Sequence, residues 1–359
     1  MLAPSEDDGA SRNRRGRPGH LDGRRYQAVA PRGRGIKGSV KECGVQYGDH
    51  PPRTPGRPPV ATPTRTTPVG QFDYLALSSL YQHRCATSEQ IRLLAAPQAG
   101  ISFALRKLRA LQQQGLVAHT NVERRSRLWF LTDAGRSVAA RMPEMDGRDS
   151  PAQNLGDVHA RILLPHTQAV LRSHLAFLAD ARRRGDEYGP LDWAPEVHHQ
   201  LSERRRDALR ADALMHYTLH TPTGRVHLRA FVELDRCTTT SEQLTSKLIG
   251  YARFHGHTPI PHRLRGTTES QGALPVWQDF YPVFPRLLFI LADASPTTMS
   301  NRIADLQLAA GEGQRVISLL RRVPAGAATL DDIEAQGPSA PVWKSLAHPD
   351  RPACSWTDL

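Results

Sequence analysis

Between residues 72 and 142 the apolar positions first recur every three or four residues and then every second residue. Phe72, Leu75, Leu80 and Tyr81 fall near one face of a helix in "FDYLALSSLYQHRCA". In "TSEQIRLLA" Thr87 stands at an N-cap position and Gln90 follows at the capping-box spacing, so a second helix begins at once. A third is predicted in "GISFALRKLRALQQQGLV", with Ile101, Leu105 and Leu108 turned inward and Gly115 ending it as a C′ residue. Two short strands follow, at about 116–120 and 127–131, around a basic tip carrying Arg124 and Arg125; Thr132 then caps another helix.

A polar stretch at 143–155 reads as a linker. Beyond it, Val158, Ile162, Leu163, Val170, Leu171, Leu175 and Leu178 recur near helical spacing, which predicts one long helix over about 157–184. Three strand-like runs come next, "LDWAPEVHHQL", "DALRADALMHYTLH" and "GRVHLRAFVELDR", with "TPTG" as the turn between the last two. A helix in "TTSEQLTSKLIGYARFHGH", a buried strand in "YPVFPRLLFILAD" and a helix in "PTTMSNRIADLQLAA" complete the order α-β-β-β-α-β-α. The fold class is therefore α+β, with one region at 72–142 and a second at 156–322. Residues 323–359 read as a Pro- and Ala-rich tail with one short helix, in which Trp343 and Trp356 are expected to dock on the body or a partner.

Charge changes this picture at the front of the chain. The net charge is +12 over 359 residues, and residues 1–70 contribute thirteen Arg or Lys against six Asp or Glu, so +7 of it lies there. With ten Pro, eleven Gly and no apolar periodicity, residues 1–70 read as a disordered basic arm. Such a balance favours a polyanionic partner, nucleic acid first, because clustered cations displace counterions from phosphates. No apolar run approaches the roughly 20 residues of a membrane span and no signal-peptide core is present, so a cytoplasmic protein without a membrane partner is expected. Cys43, Cys85, Cys237 and Cys354 are too dispersed for a metal site or a disulfide framework. Only five of the 47 basic residues are lysines, which singles out Lys107 and Lys247 within the motifs below.

On the third helix Ser102, Arg106, Arg109 and Gln113 share one face, and Arg and Gln are the side chains that read guanine and adenine edges in a major groove. Lys107 on the same helix, with Arg124, Arg125 and Arg127 on the hairpin, completes the candidate DNA-contact set. The alternative is a solvated helix face. The continuation "GLVAHTNVERRSRLWFLTDAGRSVAARM" resembles winged helix-turn-helix regulators, in which "GLV" leaves the recognition helix and "LTDAGR" leaves the wing. That resemblance implies binding of double-stranded DNA by residues 72–142.

In the second region Glu233 and Asp235 lie two residues apart, so strand alternation puts both on one face, and pairing of the second and third strands brings Asp212 beside Glu233. Carboxylates gathered in this way repel unless a cation lies among them, and Mg2+ takes few carboxylates plus waters. The alternative is ion pairing with neighbours such as Arg210 and Arg236. The element order resembles the PD-(D/E)xK nuclease superfamily, which implies Asp212, Glu233 and Asp235 as ligands of Mg2+ and a catalytic lysine. The superfamily places lysine two residues after the glutamate, where this chain has Asp235; Lys247, one helix later, takes that role by the resemblance, with Tyr251 one turn on and Glu196 as a further candidate ligand.

Neither a phosphate-binding loop of the G-x-x-x-x-G-K-[ST] kind nor a G-x-S-x-G elbow is present, and the histidine-rich "HGHTPIPH" fits neither zinc nor a rolling-circle relaxase. The span 72–322 resembles the replication-relaxation family of actinobacterial plasmids and other mobile elements, through "ALRKLRALQQQGLV", "WFLTDAGR", "VELDR" and "LTSKLIGYARF". It implies a DNA-binding protein of plasmid replication or relaxation with a Mg2+-dependent nicking site, partnered by DNA and by a second copy or other replication proteins. The rival expectation is a winged-helix transcriptional regulator whose second domain is catalytically silent.

Overall fold

Helix α1 (Gln71–His83) buries Phe72, Ala76, Leu77 and Leu80. The structure, a computed structural model, describes residues 70–122, 126–146, 158–201, 208–258 and 274–359; the expected basic arm and most of the expected linker lie outside them. After α1 come β1 (Cys85–Thr87), a strand too short to be read from the pattern, and α2 (Ser88–Ala95). The capping box forms: Gln90 N–H donates to Thr87 Oγ1 at 3.2 Å and Thr87 N–H to Gln90 Oε1 at 2.7 Å, which satisfies two amides that helix geometry leaves open. In α3 (Ile101–Gln113) the buried stripe is Ala104, Leu108 and Leu111. Ile101 continues that stripe in the first turn but lies past the edge of the core and is 40% exposed.

Strands β2 (Val117–Val122) and β3 (Ser126–Leu131) form a hairpin, and β1 pairs with the far side of β3 to give a three-stranded antiparallel sheet. Helix α4 (Asp133–Ala139) follows. The two motifs flanking the hairpin prove to be one joint. Thr132 donates its N–H to the Leu116 carbonyl at 3.1 Å and its hydroxyl to the Gly115 carbonyl at 2.6 Å. A side chain at position 135 would meet the Leu116 carbonyl oxygen at 1.8 Å, so "LTDAGR" needs glycine there for α4 to close on "GLV".

The long helix α5 (Val158–Arg184) leads to β4 (Trp193–Gln200), β5 (Ala208–Thr221), β6 (Gly224–Asp235), α6 (Ser241–Gly256), β7 (Arg286–Leu291) and α7 (Pro296–Gly311), in the expected order. The chain then adds α8 (Gln314–Leu320), β8 (Ala325–Thr329), α9 (Leu330–Gln336) and β9 (Lys344–Ser345). The six strands run in the order β4-β5-β6-β7-β8-β9; β4 to β6 are antiparallel, β6 to β8 parallel, and β9 antiparallel to β8. The run "RLLFIL" of β7 is apolar throughout because a central parallel strand is covered on both faces.

Residues 323–359 are part of this sheet rather than an appended tail. β8 pairs along β7, Trp343 and Trp356 are fully buried, and the Leu359 side chain lies where any Cβ at Gly326 would collide with it. The segment "AGAAT" lacks the branched and aromatic residues that mark a strand, because its small side chains fit under close neighbours on both faces. One layer of core unites α1 to α4, α5 and α9 with Met215, Val232, Leu234, Leu288 and Ile290; the other unites α6, α7 and α8 with Leu214, Phe231, Phe289 and Leu291. Met142 and Met145 join the first layer, so packing of the N-terminal elements runs into the stretch read as linker.

Candidate functional site

Strands β5 and β6 pair from the turn at Thr221 and Gly224 only as far as Ala213 and Val232. Beyond that point β6 continues beside β7 while β5 stays with β4, and the sheet splits. Register between β4 and β5 is continuous except at Glu196 and Asp212, where Glu196 adopts φ +55° and the ladder pair is missing. Across this break the side chains change layers: Ala213 and Met215 face α5, whereas Leu209 and Ala211 face α6. The ribbon thus rolls over α6, where the His199 ring stacks on Phe254 at 4.5 Å and accepts or donates a hydrogen bond with Tyr281 at 2.8 Å.

Asp212 and Glu233 occupy the split. The Leu234 N–H, which has lost its strand partner, donates to Asp212 Oδ2 at 2.8 Å. Lys247, reaching in from α6, donates to Asp212 Oδ2 at 3.2 Å and to Glu233 Oε2. Tyr251, one turn further on, donates its hydroxyl to Glu233 Oε1 at 2.5 Å. His166 of α5 closes the far side, with Nε2 3.4 Å from Asp212 Oδ1. Two carboxylates thus converge on a single ammonium.

Their environments separate them electrostatically. Burial and then the Asp212 charge push the Glu233 carboxyl up to about 8, against the pull of Lys247 and Tyr251. Burial would raise Asp212 as well, but the His166 hydrogen bond, the Lys247 charge and the Leu234 amide outweigh it and hold that carboxyl well below the usual carboxylate range. Burial works against the charge on Lys247; the two carboxylates outweigh it and keep the ammonium above its ordinary value. With both carboxyls ionised, the Lys247 ammonium alone would leave the pair one positive charge short of balance, and the raised Glu233 carboxyl relieves this by holding its proton.

Asp235 belongs to different company. It shares the strand face with Glu233, but its Oδ1 accepts the Cys237 N–H at 2.9 Å and its Oδ2 lies 3.1 Å from the guanidinium of Arg302 on α7. Glu196 is also engaged elsewhere, between Arg84 and Arg210, the latter at 2.7 Å. Arg236 pairs with Asp293, so neither Arg210 nor Arg236 neutralises the carboxylates of the split. Among the described residues no group of three or more His, Cys, Asp and Glu is arranged to hold a metal ion. What Asp212 and Glu233 can offer a cation is two convergent carboxylates, a set that suits Mg2+ when water and phosphate supply the rest.

Sequence reasoning brought Asp212, Glu233 and Lys247 together and placed Tyr251 on their side. It missed His166, which lies in another element and follows Pro165 with no motif around it.

On α3, Ser102, Arg106, Arg109 and Gln113 are exposed together, and the Arg106 guanidinium lies over the Phe103 ring at 5.5 Å. Lys107 turns instead toward α1 and pairs with Asp73 at 2.9 Å. Arg127 is half-buried on β3; Arg124 and Arg125 lie outside the described residues.

A family model described as replication-relaxation matches residues 77–269, just over half of the chain. The chain belongs to the replication-relaxation family. The matched stretch of this family member runs from within α1 to beyond α6, and so contains α3, the sheet split and Lys247. No curated protein and no solved structure matches the chain. Among the described residues no helix is long and apolar enough to cross a membrane.

Proposed function

We propose that the protein acts in replication or relaxation of plasmid or mobile-element DNA, binding the duplex through residues 72–142 as a winged helix and cutting one strand at a PD-(D/E)xK-like site. The observation that carries the enzymatic part is the Lys247 ammonium held between Asp212 and Glu233 where β5 leaves β6. Family membership supports the DNA substrate, and the shared exposure of Ser102, Arg106, Arg109 and Gln113 supports α3 as the groove-reading element.

Asp212 and Glu233 would hold Mg2+, which when bound supplies Lewis-acid polarisation of the scissile phosphate. Tyr251 fixes the Glu233 carboxylate by a hydrogen bond, and the Leu234 amide and His166 fix that of Asp212, so both acids are oriented before substrate arrives. Lys247 keeps its proton and places positive charge beside the phosphate and the attacking water. Asp235, ion-paired with Arg302, holds the end of β6 and takes no part in the reaction.

Incubation with supercoiled plasmid and Mg2+ tests this reading. Open-circular product is expected from the wild type and is lost in Glu233→Ala and Lys247→Met. Absence of nicking on every plasmid tried, with both variants indistinguishable from wild type, removes the enzymatic part.

A second reading keeps the DNA binding and drops the chemistry: a regulator with a silent second domain. It is favoured by the salt bridges of Lys247 to both carboxylates, which engage the oxygens a metal would use. Tight binding to one operator, unchanged by Mg2+ or by Glu233→Ala, would select it.

A further inference from the structure

The C-terminal half of α6 borders a cavity of about 490 Å3 that the reading above does not use. Its lining includes Arg253, His255 and His257 from the end of α6, and Gln314, Arg315 and Ser318 from α8. Among the described residues that line it there is no carboxylate. Arg253 and Arg315 are both exposed, and Arg322 lies close enough that its charge, after burial, holds His255 below its ordinary value. A cavity walled by cationic and hydrogen-bonding side chains is complementary to phosphate.

The rim adds a second feature. Val276 N–H donates to the His257 carbonyl at 2.9 Å, tying the segment after the cavity to its edge. From there Trp277 stacks on His255 at 5.9 Å, nearly parallel, and Phe280 meets His199 edge-on at 5.1 Å. Leu274, Phe280 and Val283 are 69%, 58% and 72% exposed, an unusual concentration of large apolar side chains for ten residues of surface. Duplex DNA hides its bases and has no use for such a platform. A single strand offers both a charged backbone and open base faces, the pair of features that aromatic residues beside a basic groove recognise.

We propose that this basic cavity and its aromatic rim form a binding site for single-stranded DNA, separate from the duplex-reading face of α3. Arg253 and Arg315 hold backbone phosphates, and Phe280 stacks on a base. Arg253 lies ~9 Å along α6 from Lys247, within a few nucleotides of the carboxylate pair. Strand binding here does not require that pair to be active.

The test uses the full chain, a short oligothymidylate and the matching duplex, with fluorescence anisotropy for affinity and tryptophan emission for location. The oligothymidylate should quench emission, and Trp277→Phe should remove the quench. Arg253→Ala/Arg315→Ala should weaken single-strand binding by roughly tenfold or more and lower the salt slope by about 1.4, the value for two phosphate contacts on a single strand. Phe280→Ala should weaken it by roughly five- to tenfold, leaving duplex affinity unchanged. Unaltered Trp277 emission on strand binding would overturn the proposal, as would a double-arginine variant with wild-type affinity and salt slope. Self-association of the wild type that Phe280→Asp abolishes, with no effect of that variant on strand binding, would assign the platform to a second copy of the chain instead.

Discussion

At the end of β6 two corners of the molecule handle the same kind of charge in different ways. Glu233 is buried beside Asp212 with one lysine between them, whereas Asp235, two residues on, pairs with the guanidinium of Arg302, which also donates to the Thr239 carbonyl at 2.6 Å. Both carboxylates leave the same face of the strand. The difference arises in what flanks it: at Glu233 the sheet has split and admits a second acid from β5, while Asp235 meets Arg302 of α7 and the Cys237 amide. Two acids with one cation make a pocket that gains from a further positive charge; one acid with one cation makes a closed structural pair. Proximity in sequence is therefore a poor guide to shared chemistry, and charge balance is a better one.

The largest effect expected from this contrast is at the closed corner. Arg302→Ala leaves Asp235 buried without its partner and should cost about 3–5 kcal/mol in a urea unfolding experiment, while Glu233→Gln, which replaces a buried carboxyl already held largely neutral by a neutral amide of the same shape, should leave stability unchanged or raise it. Equal losses in the two variants would break the comparison.

Next in size is the support of the open corner. Burial, then the charge of His198, lowers the His199 imidazole to about 4. The folded state prefers it neutral, whereas the unfolded chain takes up a proton below about 6.5. Stability is thus intact above 6.5 and is lost as pH falls from there toward 4, by about 3 kcal/mol for this residue. His174, fully buried and also lowered by burial, adds in the same direction. Thermal melts across that window should show the slope, and His199→Gln should flatten part of it.

Smaller effects sharpen the account of α3. Arg106→Ala and Arg109→Ala should each cost about 1–3 kcal/mol in duplex affinity. Lys107→Met should cost about 0.5–1 kcal/mol in folding stability through the lost Asp73 pair, and little in DNA binding. A Lys107 variant that loses DNA affinity as strongly as Arg106→Ala would return Lys107 to the contact face.

The capping box at Thr87 and Gln90 and the helix end at Gly115 were readable in the sequence because each is settled within a few residues of chain. The carboxylate pair and Lys247 were readable because strand alternation, a tight turn and one following helix bring them together. His166 was not, since its place beside Asp212 depends on how α5 crosses the sheet. Nor was the role of residues 323–359: "AGAAT" carries no strand pattern, and its place beside β7 is decided by packing of small side chains rather than by alternation. The pairing of Asp235 with Arg302 joins residues 67 positions apart, and alternation alone put Asp235 with Glu233.

In the proposed function Asp212 and Glu233, and not Asp235, accept a divalent cation. Calorimetric titration with Mg2+ or Mn2+, run beside thermal melts, addresses it directly. The wild type should bind saturably and gain melting temperature, both effects retained in Asp235→Asn and both lost in Glu233→Gln. Absence of binding in the wild type, or loss in Asp235→Asn with retention in Glu233→Gln, would contradict it.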